Sequence, residues 1–267
     1  MLIDFVFDGV SASEMGLVIG GIDGVSDSDS LGNKLAPVIY KPSRSHRHRM
    51  AASAYEEPYT KTFKVMRDPC SSTDPNPVFT EIQLNRILSW LIREEGYHKL
   101  VPIYDDGQYS NVYYMGYFKV TSESGFGGIS GLKLEFVADS PYAYQEFSQI
   151  PIQSGDTFVD VSDKSGYLYA DLDIVVKEAG DLKIWNSIDP TNTVVILDVL
   201  AGDHFILHGD SKIIESERQF PGLYNNFNYN FLRICNTFSD KNNTITSSLS
   251  CDLKLTYTPV RRVGISL

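Results

Sequence analysis

The chain is poor in cysteine, poor in positive charge and without a long apolar run, and each lack removes a class of function. Its three cysteines, Cys70, Cys235 and Cys251, are spread over 267 residues. No C-x-x-C pair occurs, so neither a zinc knuckle nor a dithiol redox centre is indicated. Free thiols in a protein made in a reducing cytosol are the plain expectation. No stretch approaches the roughly 20 apolar residues that span a bilayer, so no membrane partner is expected. The opening Met1 to Asp8 has no basic start and breaks off too soon for a signal sequence, so the expected product is soluble and unprocessed. Lys and Arg total 23 against 34 Asp and Glu, a net charge of −11 that argues against a protein that wraps nucleic acid.

Catalytic signatures are missing too. There is no G-x-S-x-G elbow, no H-E-x-x-H helix and no P-loop. His204 and His208 lie four apart, but in an expected strand and turn, where that spacing builds no helical metal face. Asp27 and Asp29 alternate with serines but lack the Gly and closing Glu of an EF-hand. Gly125 to Gly131 superficially matches a phosphate-binding loop, yet it precedes a strand and has no Gly-Lys-Ser/Thr, so a hairpin connection is expected. Paired carboxylates of a glycosidase have no pattern to select them. No enzyme, catalytic residue, metal site or cofactor is expected.

What is present is a β-rich chain built around one helix. Thr80 reads as an N-cap with Gln83 completing a capping box, and Phe79 and Leu84 stand at the positions of a hydrophobic staple. Leu84, Ile87, Leu88, Leu91 and Ile92 repeat on one helical face, and Gly96 is the expected stop. That places a helix over 80–95. Strands are expected over 2–7, 17–19, 61–67, 100–104, 111–121 and 129–138, giving the helix a sheet to lie on. After the break at Asp139-Ser140-Pro141-Tyr142 the pattern is nearly all β, with strands over 157–161, 168–176, 181–185, 194–200, 204–207, 212–215, 231–236 and 246–257. Frequent turn signals between them are the mark of a β-sandwich. The expected fold is mainly β with one helix, an α+β domain over 1–142 followed by a sandwich over 143–267. Whether the last strand returns to the first domain stays open.

Two surface features stand out. Lys41, Arg44, Arg47 and Arg49, with His46 and His48, form the one basic cluster of an acidic chain. No aromatic platform interleaves them, so a solvated loop or contact with an acidic protein neighbour ranks before nucleic acid. Tyr224, Phe227, Tyr229 and Phe231 lie among asparagines as a candidate glycan-binding or docking patch, the alternative being a mixed stretch of core and loop.

Several phrases, taken in order, resemble the distal tail protein (Dit) family of long, non-contractile-tailed bacteriophages. They are Phe5-Val6-Phe7-Asp8-Gly9-Val10 with Met15-Gly16-Leu17, and Ile87-Leu88-Ser89-Trp90-Leu91 with Tyr97-His98-Lys99-Leu100 and Asp105-Asp106. Phe136 to Tyr144 is similar to the family's domain junction. Leu172-Asp173-Ile174, Ile184-Trp185-Asn186 and Leu200-Ala201-Gly202-Asp203 are similar to its galectin-like sandwich. The resemblance implies a structural, non-enzymatic protein of the virion tail tip, made in the host cytoplasm. Six N-terminal domains would form a belt-like ring around the tail channel, with DNA only as passing cargo and the galectin-like sandwiches outside. Its implied partners are the tail tube protein, the tail-associated fibre or lysin protein, and receptor-binding proteins. The basic cluster would then serve as a contact between subunits. No segment is long enough for an inserted carbohydrate-binding module, and the H-x-N-P-R sugar motif of true galectins is absent. A carbohydrate-binding sandwich for cell-surface glycans remains the rival reading, and a bacteriocin or prophage particle is the rival setting.

Overall fold

The computed structural model describes residues 2–20, 35–36, 39–41, 49–50, 55–56, 58–70, 76–107, 110–125, 127–146, 149–218, 220, 222–237 and 239–262. Two compact units emerge, Met1–Tyr144 with Arg262–Leu267, and Gln145–Arg261.

The first unit begins with β1 (Leu2–Phe7), β2 (Val10–Ser11) and β3 (Leu17–Ile19). Two short pairs follow, β4 (Leu35–Ala36) with β7 (Tyr55–Glu56) and β5 (Ile39–Tyr40) with β6 (Arg49–Met50). Then come β8 (Thr60–Arg67), α1 (Glu81–Leu91), β9 (His98–Tyr104), β10 (Val112–Gly125), β11 (Gly128–Ala138) and β12 (Ala143–Gln145). One sheet runs in the order β2-β1-β9-β10-β11-β8-β3, with β12 beside β10. Gly125 pairs with Gly128, so the glycine-rich stretch is the tight hairpin its sequence suggests.

Alternation sends Phe5, Phe7, Phe63, Leu100, Tyr114, Phe118, Leu134 and Phe136 to one face, where Ile87, Trp90 and Leu91 of α1 join them in a single core. Phe5 stacks between Phe63 and Trp90, with ring centroids 5.7 and 5.9 Å away. The indole Nε1 of Trp90 donates to Phe7 O at 2.8 Å, so burying the indole leaves no orphan donor. Gly116 lets this core close: a Cβ there would stand 2.4 Å from both the Phe136 ring and Val137 O.

The helix is shorter than the spacing suggests. Thr80 caps it, Gln83 N donating to Thr80 Oγ1 at 3.3 Å and Thr80 N to Gln83 Oε1 at 2.9 Å. Its end differs from the expected residue 95: Ile92 is already extended and half out in water, and Gly96, at φ +69°, serves a later bend. The reason lies in β9, which starts at His98 to pair with Gly116 and needs residues 93–97 for the reversal. Arg93 closes the helix by donating from Nε to Trp90 O at 3.2 Å. β8 differs as well. Its charged ends, Lys61 and Arg67, lie buried on the same face as Phe63 and Val65. Arg67 Nη1 donates to the carbonyls of Asn76 and Val78, fixing the chain just ahead of the helix.

The second unit contains β13 (Ile150–Ile152), β14 (Asp156–Val159), β15 (Gly166–Tyr169), β16 (Asp171–Val176), β17 (Gly180–Asn186), β18 (Val194–Val199), β19 (His204–His208) and β20 (Ile213–Ser216). These are followed by the single turn α2 (Leu223–Asn226), β21 (Arg233–Asn236), β22 (Asn242–Ser247), β23 (Cys251–Thr256) and β24 (Val260–Arg261). A five-stranded sheet, β13-β23-β16-β19-β20, packs on a four-stranded sheet, β14-β22-β17-β18, with β15-β21 as a separate pair. Leu172, Ile174, Phe205 and Leu253 from one sheet share a core with Leu182, Ile184, Ile196 and Ile245 from the other. The fold is therefore mainly β, as expected, with a sandwich in its second unit.

Three details depart from the sequence reading. The expected strand 168–176 is broken at Ala170, whose N donates to Leu232 O at 3.1 Å. Gly209 approaches that break so closely that a Cβ there would stand 2.5 Å from Ala170 O. The expected strand 246–257 is the two strands β22 and β23, and β13 was hidden by Pro151, which an edge strand tolerates.

Candidate functional site

One face of the first sheet packs on α1, which leaves contacts with other surfaces to the opposite face. That face divides in two. Toward β11 and β8 it is polar: Lys119 and Glu135 are cross-strand partners with Nζ and Oε1 3.1 Å apart, and Lys64 Nζ stands 3.7 Å from Glu123 Oε1. The bond to Glu135 raises the Lys119 pKa above the ordinary lysine value. Toward β1 and β9 it is apolar. Val6 pairs with Val101, Tyr117 with Val137, and Ile103, Tyr113 and Met115 alternate with core residues on their strands. All but Tyr117, which is exposed, are half-buried, and none of them packs into the core beneath α1. Ile3 and Tyr97, 52% and 53% exposed, add apolar area.

The margin of this patch is held in place. Tyr144 on β12 meets the Tyr113 ring at 5.6 Å and donates from its hydroxyl to Asp139 Oδ2 at 3.0 Å. Burial, then the neighbouring carboxylate, pushes the Tyr144 hydroxyl up to about 12, so it stays a donor across the accessible pH range. Lys99 Nζ lies 4.5 Å from the Tyr113 ring centroid, its charge at the edge of the patch. An apolar area with cationic and aromatic margins has the make-up of a protein interface. The signal for it was in β9, whose Leu-Val-Pro-Ile-Tyr is apolar at every position, the pattern of a strand covered on both faces.

The basic cluster is placed only in part. Lys41 is exposed, Arg49 stands on β6 paired with Tyr40, and Arg44 and Arg47 lie outside the described residues. The aromatic stretch is placed in full and is divided. Phe227 and Phe231 are core residues, 4% and 3% exposed, and their rings meet edge to face at 5.4 Å. Tyr224 and Tyr229 stand in water, 64% and 57% exposed.

The asparagines between them close a sheet edge. Asn228 N donates to Val195 O at 3.2 Å, and Val195 N donates to Asn228 Oδ1 at 3.1 Å. Asn228 and Asn230 Nδ2 both donate to Thr193 O, at 2.8 and 3.0 Å, and Asn226 Nδ2 reaches Leu197 O at 3.4 Å. These amides act as a substitute strand along the open side of β18. Their alternation with Phe227, Tyr229 and Phe231 was the legible signal. Among the described residues, no group of three or more His, Cys, Asp and Glu side chains could hold a metal ion.

Two family models match the sequence: residues 1–140 match the phage tail protein N-terminal domain, and residues 142–257 the phage tail C-terminal domain. Among solved structures, the SPP1 Dit protein is similar in fold, with a TM-score of 0.65 at 10% identity over 97% of this chain and 99% of that one. Its description is a paradigm of the hub adsorption apparatus in phages that infect Gram-positive hosts. The phage P2 baseplate in its activated conformation with Ca gives a TM-score of 0.46 at 12% identity, over 96% of this chain and 98% of that one. No curated protein matches.

Proposed function

The chain belongs to a phage tail protein family, and from that premise we propose that it is a distal tail protein, a non-enzymatic hub component at the virion tail tip. The observation that carries this reading is the apolar half of the outer sheet face, Val6, Val101, Ile103, Tyr113, Met115 and Tyr117. Such a face is stabilised by a second protein surface, and a contact repeated head-to-tail closes into a ring when the rotation is right. The proposed assembly is a homohexamer built through the first domain, residues 1–142, with the second, residues 143–267, as a docking module. The tail tube protein, the tail-associated fibre or lysin protein and receptor-binding proteins are the proposed neighbours, with DNA as passing cargo. The fold shared with SPP1 Dit over nearly the whole length supports the same role. Lys41, Arg44, Arg47 and Arg49 are proposed as a charged contact between subunits. Negative-stain images of the purified chain test the assembly: rings with a central hole are expected, and isolated particles also in the presence of tail tube protein would sink it.

One observation favours a second reading. Tyr224 and Tyr229 are exposed aromatics on one segment, as a glycan platform requires. Against it, the intervening asparagine amides are engaged with β18 and are not free to bind sugar hydroxyls. Retention of the full chain on host cell-wall material, lost in Tyr224→Ala/Tyr229→Ala, would revive it.

A further inference from the structure

The outer face of the five-stranded sheet brings a histidine between two carboxylates. His204 on β19 has Nε2 2.7 Å from Asp173 Oδ1 on β16 and Nδ1 2.8 Å from Glu217 Oε1, just past β20. An ionised carboxylate only accepts, and a neutral imidazole carries a single N–H. Both contacts can be hydrogen bonds at once only if the ring is doubly protonated. We propose that His204 is a protonated clasp tying the end of edge strand β20 to the centre of the sheet, and that loss of its proton releases Glu217.

The surrounding charges favour this state. From β16 the ring faces Asp173, with Asp171 two residues away. From β20 and the residue after it come Glu215 and Glu217, and from β23 Asp252 and Lys254. Lys254 Nζ lies 3.6 Å from Asp173 Oδ2 and Lys177 pairs with Asp252, so two of these five carboxylates are engaged by a lysine, while Asp171 and Glu215 stand 3.7 Å from His208. Arg218 forks onto Asp203 at 2.6 and 2.8 Å, an ion pair of its own. The hydrogen bond to Asp173, opposed by desolvation and then helped by Glu217, holds the His204 pKa above the ordinary histidine value. His208 is the geometric contrast. It also stands between two carboxylates, Asp171 and Glu215, but at 3.7 Å from each, too long for the same demand on its protons.

The sign follows from the raised value. The contribution of the clasp is fully present below the unfolded histidine pKa and is lost as pH rises through the folded one. The remaining proton stays with Asp173, which is 32% exposed, and Glu217, at 72%, turns to water. The Arg218 fork keeps the following chain in place, so the change is confined to the end of β20, where Glu217 N donates to His204 O at 3.2 Å.

Histidine ring signals of the full-length protein, followed by NMR against pH, test this, with His204→Gln assigning the resonance. The expected result is a His204 midpoint above about 6.5, lowered in Glu217→Gln. The Glu217 side chain is on the surface, so that variant keeps the fold. A His204 midpoint at or below about 6.5, or one that Glu217→Gln leaves in place, would overturn the clasp. Amide exchange at Glu217 gives a second reading: in the native chain it should rise with pH more steeply than in Glu217→Gln, and equal slopes would count against it.

Discussion

The two units answer the same problem, a sheet with a second face and an open edge, in opposite ways. In the sandwich the two sheets cover each other, β18 has its open side closed by Asn226, Asn228 and Asn230, and the outer face of β16 and β19 carries Asp171, Asp173, His204 and His208 beside Val175 and Ile206. The first unit covers one sheet face with α1, and among the described residues half of the other is lined by Val6, Val101, Ile103 and Met115. Solvated charge marks a surface that stays in water, and aliphatic side chains on an outward face mark one that is covered in use. The contrast is the basis for proposing that copies assemble through the first unit, with the second as a docking module.

The largest effect on this contrast is expected from Trp90→Ala. It removes a buried indole, its stacking on Phe5 and its bond to Phe7 O, at a cost of about 3–5 kcal/mol. If the units have separate cores, calorimetry should show the transition of the first unit falling by many degrees while that of the second holds. A common fall would break the comparison. Next comes Asn228→Ala, which strips Val195 N of its partner and Thr193 O of one of two donors, at about 1–3 kcal/mol. Here the second transition should move and the first stay, with more aggregation as the β18 edge opens. Thr80→Ala sharpens the picture with the smallest effect, about 1 kcal/mol in the first unit from loss of the cap.

Much of this organisation was legible in the sequence because it rests on local signals. The capping box at Thr80 and Gln83, the alternation Phe118-Lys119-Val120-Thr121 and the hairpin glycines each act within a few residues, and each stands where expected. What escaped depends on partners distant in the chain. The helix stops at Leu91 because β9 must reach Gly116, and the strand over 168–176 breaks at Ala170 because Leu232 takes its N–H. Lys61 and Arg67 lie on the core face although their charge suggests the outer one, since Arg67 finds the carbonyls of Asn76 and Val78. The aromatic patch escaped in a different way. Its spacing was visible, but the direction of Phe227 and Phe231 was set by β18, which lies some thirty residues earlier. The outer face of the first sheet was legible only in the unbroken apolar run of β9, since elsewhere a half-buried valine and a core valine read alike.

The most direct measurement is solution mass by light scattering, on the native chain and on Val101→Glu/Met115→Glu, with circular dichroism to establish that both are folded. For a 29.9 kDa chain, six copies give about 179 kDa. The native protein is expected near that mass, alone or on addition of tail tube protein, and the variant near one chain under both conditions. Equal masses for two folded proteins would contradict the claim that this face is where the copies meet.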